Sequence, residues 1–365
     1  MTSLSPFLFA VLFIAALFSP VALGADGDDT IYLKGKPALV GVSIVSESAT
    51  EVVYTKKRGT RRVAIPAEQV ASLTYELQPG DYRSAVQLFS LGDFVNAVTE
   101  LKAVSNTKHA KAPWVQVYSL VYLGRAQLCI GNFAEAVASF RAALKAQPNT
   151  RWRPIIVRGL VTALNSSGDN GGAKQAVEEF RRAITTHKIG GSAKILADVL
   201  NVENQLRAGK FMETAALANT AVAHASDYPH LLAHAMSLQI QALIQSKDLT
   251  RARGIVTQMQ SKARAASNPH AAAVARNGEA AIMLQENRDL EPIVHLLAKA
   301  HVENWQGISE MPRTCYLLGR SYLRAAKSAH SASAKTLARA YFEETTKRFP
   351  ESVEAILARD ELKKM

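Results

Sequence analysis

The sequence predicts an α+β protein: a small N-terminal β-barrel-like domain followed by an all-α superhelical solenoid of about six to seven helix pairs. Three observations predict it. The apolar period is about two over residues 29–76 and about 3.6 from Pro79 onward. Within the helical part, Ala136-x3-Phe140-x2-Ala143 recurs as Ala176-x3-Phe180-x2-Ala183, so one packing unit is used again. The chain is 48% hydrophobic but 7% aromatic and rich in Ala, a composition that suits closely stacked helix pairs.

The first 24 residues stand apart. Thr2 to Ser5 is polar, Phe7 to Phe18 is an unbroken apolar run, Pro20 breaks the helix, and Ala22-Leu23-Gly24 places small residues before a cut. This is the layout of a signal peptide cleaved after Gly24, although its leading segment lacks Lys and Arg. The alternative is an uncleaved N-terminal anchor. Either way the chain is expected to be exported, periplasmic or secreted. No Cys follows the apolar run, which excludes a bacterial lipid anchor there.

Residues 25–77 form the expected β domain. Thr30–Leu33, Ala38–Val45, Glu51–Thr55, Val63–Pro66 and Val70–Tyr75 read as strands, separated by the Lys34–Pro37 turn and the Lys56–Arg62 hairpin. Residues 78–350 then read as helix pairs. Tyr82, Ala85, Val86 and Phe89 share one helix face, Gly92-Asp93-Phe94 turns the chain, and Ala97, Val98, Leu101 and Val104 continue. The following pairs centre on Gly131-Asn132, on residues 166–172, on Gly209-Lys210, on Lys247-Asp248 and on Arg288-Asp289. A last pair, Arg313–Ala326 and Thr336–Arg348, is split by a Ser/Ala/His loop from Lys327 to Lys335. Residues 351–365 read as a terminal capping helix with Ser352 as N-cap.

The second pair carries a resemblance. Leu120-x2-Leu123-Gly124-x2-Gln127, then Gly131-Asn132-Phe133, Ala136-x3-Phe140-x2-Ala143 and Pro148 is similar to the tetratricopeptide pattern of ~34 residues. Leu120 stands where that pattern has Trp, and Gln127 where it has Tyr. The last pair shows Leu318-Gly319-x2-Tyr322 and Ala338-x3-Phe342. The match is strong in these two units, fair in the first and third, and weak from Ala193 to Val302, where generic helix hairpins fit equally well. The β domain resembles the SH3-like or Sm-like barrels that precede tetratricopeptide arrays in some exported bacterial proteins, through Ile65 to Leu73.

Familiar chemistry is missing. Gly168-Asp169-Asn170-Gly171-Gly172 lacks the Lys and the preceding strand of a nucleotide loop, and neither a G-x-S-x-G elbow nor an H-E-x-x-H motif occurs. His230 and His234 are four apart on one helix face, with His224 and Asp227 nearby, but Leu-Leu-Ala between them offers no catalytic base. They read as helix-junction residues, so no metal, no cofactor and no small-molecule substrate is expected. Cys129 and Cys315 lie in first helices of different pairs, too far apart to bond, and read as buried apolar residues.

The net charge is +12, and residues 25–76 carry equal numbers of acidic and basic side chains, so the excess lies in the helices. It favours acidic partners, and nucleic acid does not suit an exported chain. Lys56, Lys57, Arg58, Arg61 and Arg62 form a candidate anion patch, or a solvated hairpin tip. The tetratricopeptide resemblance implies a concave groove lined by first helices that binds a protein or peptide. Its candidates are Tyr82, Phe89, Tyr118, Val121, Arg125, Arg158, Asn165, Glu203, Arg313, Tyr316, Arg320 and Leu323. The expected function is an exported, non-enzymatic adaptor or scaffold. The alternative is an envelope structural module that binds anionic polymers or membrane surfaces.

Overall fold

The structure, a computed structural model, describes residues 29–56, 61–107, 112, 114–266, 269–303, 310–329 and 331–365. The expected signal peptide, residues 1–24, lies outside them. The chain forms two compact units: one holds Glu51–Gln78 and the described residues before Ser48, and the other holds Ser48–Thr50 and Pro79–Met365.

The first unit is a five-stranded antiparallel sheet with strands β1 (Asp29–Leu33), β2 (Leu39–Glu47), β3 (Glu51–Lys56), β4 (Arg62–Pro66) and β5 (Val70–Thr74), ordered β4-β3-β2-β1-β5. Ile31, Val42, Val52, Tyr54 and Val70 form its core. The Asp29 carboxylate accepts from Ile44 N at 2.7 Å and Glu76 N at 2.8 Å, which ties β2 and the segment after β5 to β1. The sheet is not closed into a barrel. A single 3₁₀ turn, Ala67–Gln69, carries the chain from β4 to the far side of the sheet, where β5 pairs with β1. β4 and β5 are therefore opposite edges, and Pro66 at the end of β4 has no N–H to donate to a neighbour.

The second unit is a helical-repeat solenoid. Its pairs are α1 (Gly80–Ser90) with α2 (Phe94–Asn106), α3 (Trp114–Cys129) with α4 (Phe133–Ala146), and α5 (Arg153–Ser166) with α6 (Asn170–His187). Next come α7 (Gly191–Arg207) with α8 (Phe211–His224), α9 (Pro229–Gln245) with α10 (Leu249–Ala266), and α11 (Pro269–Gln285) with α12 (Leu290–Glu303). The last pair is α13 (Met311–Ala329) with α14 (Ala332–Arg348), followed by α15 (Val353–Lys364). The loop expected from Lys327 to Lys335 is mostly helix. Its Ala residues favour helix, and Ser331 caps α14 by accepting from Ala334 N at 3.3 Å.

Each odd helix packs on its own partner and also on the next odd helix, so the odd helices form a continuous inner layer. Every even helix of α2–α14 buries the same triple, spaced i, i+4, i+7. The triples are Ala97/Leu101/Val104, Ala136/Phe140/Ala143, Ala176/Phe180/Ala183, Thr214/Ala218/Ala221, Ala252/Val256/Met259, Ile293/Leu297/Ala300 and Ala338/Phe342/Thr345. That spacing is one stripe of an α-helix, turned toward the inner layer. No helix among the described residues is long and apolar enough to cross a membrane.

The Phe140 ring sits between two first helices. A Cβ built on Gly124 would lie 2.8 Å from it, and one on Gly159 would overlap Phe140 Cζ. The last pair repeats the device, with a Cβ on Gly319 meeting Phe342 at 2.5 Å. Adding one methyl at such a contact costs typically about 1–3 kcal/mol. Gly159→Ala is therefore expected to lower the urea midpoint, and Gly159→Ala with Phe140→Leu to lose less than the sum of the two changes. An unchanged midpoint in Gly159→Ala would remove the notch as the reason for glycine there.

Candidate functional site

The solenoid curls until its C-terminal helix meets its second pair. Arg125 Nε on α3 donates to Glu351 Oε1 at 2.8 Å, and Arg359 Nη1 on α15 donates to the Cys129 carbonyl at 2.6 Å. Ser352 caps α15 by accepting from Ala355 N at 3.0 Å. Ala358 packs with Tyr316, Ala338 and Phe342, so one side of α15 closes the last pair while the other reaches the inner layer.

Several candidate groove residues turn out to be part of the packing. Val121 is fully enclosed, and Tyr82, Tyr118 and Tyr316 are buried. Tyr82, Trp114, Tyr118 and Trp152 form an edge-to-face series with centroids 5.0–5.2 Å apart. Arg125 lies over Phe89 and Tyr122, at 4.8 and 5.3 Å from their centroids, and is held by Glu351. Leu323 packs against the Phe342 cluster. Arg320 stays exposed, 6.0 Å above the Tyr316 ring. Of the candidate anion patch, Lys56, Arg61 and Arg62 are exposed, while Lys57 and Arg58 lie outside the described residues.

What the inner layer does assemble is a charged cluster. Arg158 (α5), Glu203 and Arg207 (α7), His234 (α9), Arg313 (α13), Glu310 just before it and Glu354 (α15) act on one another electrostatically. Burial raises the Glu203 carboxyl above its usual range, and Arg207 and Arg158 pull it back. Burial drives His234 down to about 3, helped by Arg158 and His230, so its ring is neutral. Burial pushes the Arg313 guanidinium down, opposed by Glu354 and Glu310.

Glu310 is pushed up to about 7, first by burial, with Arg313 opposing. Its partners are spread over the inner layer. Asn277 Nδ2 on α11 donates to Glu310 Oε2 at 3.3 Å and to its carbonyl at 3.2 Å. Ser237 Oγ on α9 donates to Oε2 at 3.4 Å, and Thr314 Oγ1 bonds Asn277 Oδ1 at 2.9 Å. Sequence reasoning missed Glu310, Asn277, Arg207 and Glu354. A lone Asn277 in the apolar, Ala-rich stretch of α11 was the available signal.

Asn165 lies two turns along α5 from Arg158, on the same face. Its Oδ1 and Nδ2 are both buried and lack a hydrogen-bond partner in the protein. Buried amides are normally paired, so an unpaired one calls for a physical explanation. The histidines expected at a helix junction divide: His224 Nδ1 meets Asp198 Oδ2 at 3.0 Å, away from His234. Cys129 and Cys315 are free and buried.

No family model matches the sequence, and no curated protein matches it. Solved structures do. A Rap protein is 11% identical, with a TM-score of 0.51, over 73% of this chain and 74% of that one. A tetratricopeptide repeat protein from Parabacteroides merdae is 15% identical, with a TM-score of 0.41, over 76% of this chain and 96% of that one. The fold is a helical-repeat solenoid similar to that of the Rap protein.

The raised Glu310 fixes a pH dependence. A carboxyl whose folded value, about 7, lies above its ordinary 4.5 is held protonated by folding. The folded state then binds more protons between those values, and stability falls as pH rises through that window. Glu310→Gln is expected to flatten the urea-stability profile between about pH 5 and 7, by on the order of 1–2 kcal/mol across the window. Parallel profiles for the two proteins would contradict it.

Proposed function

We propose that this chain is an exported, non-enzymatic adaptor whose inner face holds an acidic protein or peptide segment. The observation that carries this reading is the unpaired Asn165 amide two turns from Arg158 on the same face of α5. An extended or helix-terminal backbone offers the donor and acceptor that Asn165 lacks, and a carboxylate beside it meets the guanidinium fork. The charge balance supports the acidic character of the partner. Burial raises the Glu203 and Glu310 carboxyls, and Arg158, Arg207 and Arg313 supply positive charge around them.

The fold supports a binding role. The Rap protein of similar fold was solved in complex with competence and sporulation factor. Export rests on the layout of residues 1–24, and N-terminal sequencing of the mature protein is expected to start at Ala25.

Asn165→Ala separates binding from folding. Leaving a buried polar group unpaired costs about 1–3 kcal/mol, so the alanine variant is expected to be at least as stable in urea as the parent. A partner captured by a photoreactive residue at position 158 is expected to bind that variant at least tenfold more weakly, a loss of about 1.4 kcal/mol. Equal binding by parent and variant, or capture from position 174 on the outer helix α6 instead, would defeat the groove reading.

A further inference from the structure

A second constellation lies on the other side of α13. Arg313 and Cys315 are two residues apart, about 200° around the helix, so Cys315 points away from the charged cluster. There it meets His301 from α12 and Glu344 from α14, and one ligand-type atom from each of the three lies within 4.8 Å of the others. His301 Nε2 is 3.2 Å from Glu344 Oε1. Arg348, one turn along α14, also bonds that carboxylate.

An ion pair accounts for the histidine and the carboxylate. The thiol joins the same group, its S–H hydrogen-bonding the Glu344 carboxylate. Cys315 is 0% exposed, so it cannot meet a substrate as a nucleophile, and it has no disulfide partner. A sulfur, an imidazole nitrogen and a carboxylate oxygen gathered within 4.8 Å also make a donor set of the kind that zinc takes.

We propose that His301, Cys315 and Glu344 form a three-ligand zinc site that clips α12, α13 and α14 together. Zinc takes imidazole nitrogen and carboxylate oxygen at about 2.0–2.2 Å and thiolate sulfur at about 2.3 Å, which sets tetrahedral edges of about 3.3–3.6 Å. The observed nitrogen-to-oxygen spacing of 3.2 Å is such an edge, and the 4.8 Å limit on the group asks the sulfur for a small closure. A thiolate donor selects against calcium and magnesium, which take oxygen.

His301 and Glu344 keep 29% and 26% of their side-chain surface, while Cys315 is enclosed. Arg348 then serves as an outer partner that orients Glu344. Burial and the nearby Glu344 hold the Cys315 thiol up to about 12, so the metal-free group is S–H. Binding replaces that proton with the ion and releases it to solvent.

The test uses the purified full chain, stripped with a chelator and titrated with zinc, and with cobalt(II) as its spectroscopic stand-in. Expected are one ion per chain, a thiolate-to-cobalt charge-transfer band, and a zinc-dependent rise in Tm. Cys315→Ser is expected to lose the band and Cys129→Ser to keep it. Since Cys315 is buried, the half-exposed corners provide a second measurement: His301→Gln and Glu344→Gln each weaken zinc binding at least tenfold and abolish the rise in Tm. The proposal is overturned by absence of the band in the parent, by its survival in Cys315→Ser, or by unchanged zinc affinity in both corner variants. Those results would leave the trio as an ion-pair network around a core thiol.

Discussion

The contact between the middle residue of each even helix and the first helices on either side determines the rest of the array. At Phe140 the ring reaches so far inward that Gly124 and Gly159 must both forgo a Cβ. A fully buried aromatic side chain there contributes on the order of 3–5 kcal/mol by the usual cost of its removal. It does so by touching its own pair and the next, so the same atoms stabilise a unit and join it to its neighbour. Val256 keeps the device, since a Cβ on Gly278 would lie 2.8 Å from it. Ala218, the small middle residue of α8, is fully buried too, and the stacking continues.

That stacking sets the curl, and the curl brings α15 to α3. The Arg125–Glu351 pair is partly exposed on both sides, and such pairs contribute about 0.2–1 kcal/mol. It cannot hold the closure by itself. Ala355 and Ala358 are fully buried, and Leu357 and Leu362 pack on the Phe342 cluster, so apolar burial places α15. The ion pair and the Arg359 bond to the Cys129 carbonyl then set its register against the inner layer.

The helix pairs could be read from the sequence because each is encoded locally. The stripe in each even helix spans eight residues, and the turns before it carry Gly92, Gly131, Gly168 and Gly209 at positive φ. Of the three weak units between Ala193 and Val302, the first turns at Gly209, and the other two use Lys247 and Asn287 in the same left-handed conformation, at a cost a glycine would avoid. Sequence pattern marks the turn there only through its polar residues. Strands were legible by alternation, but closure was not, because it depends on which edge β5 joins. The groove was harder still. Tyr118 and Val121 lie on the first-helix face that the resemblance points to, yet neighbouring helices cover them. Glu310 finds its partners 33 and 73 residues away, and Glu351 finds Arg125 at a separation of 226. No local period records such distances.

The inner layer is also where the chain gives up stability. Asn165 is buried without a partner, Glu203 and Glu310 are carboxyls in poorly hydrated surroundings, and His234 is held neutral against its ordinary titration. Apolar residues at these positions would pack at least as well and cost less. On the outer helices, ion pairs such as Arg181–Glu178 and Lys347–Glu343 lie in solvent and at helical spacing. Local conflict with the rules of packing is expected at functional sites, where something other than the folded chain supplies the missing interaction. Here the Asn165 amide lacks a partner within the protein, and Arg158 is exposed and acts on the Glu203 carboxyl. Glu354 of α15 already brings one carboxylate to this cluster from within the chain. An acidic segment of another protein would extend that same electrostatic pattern along the face of α5.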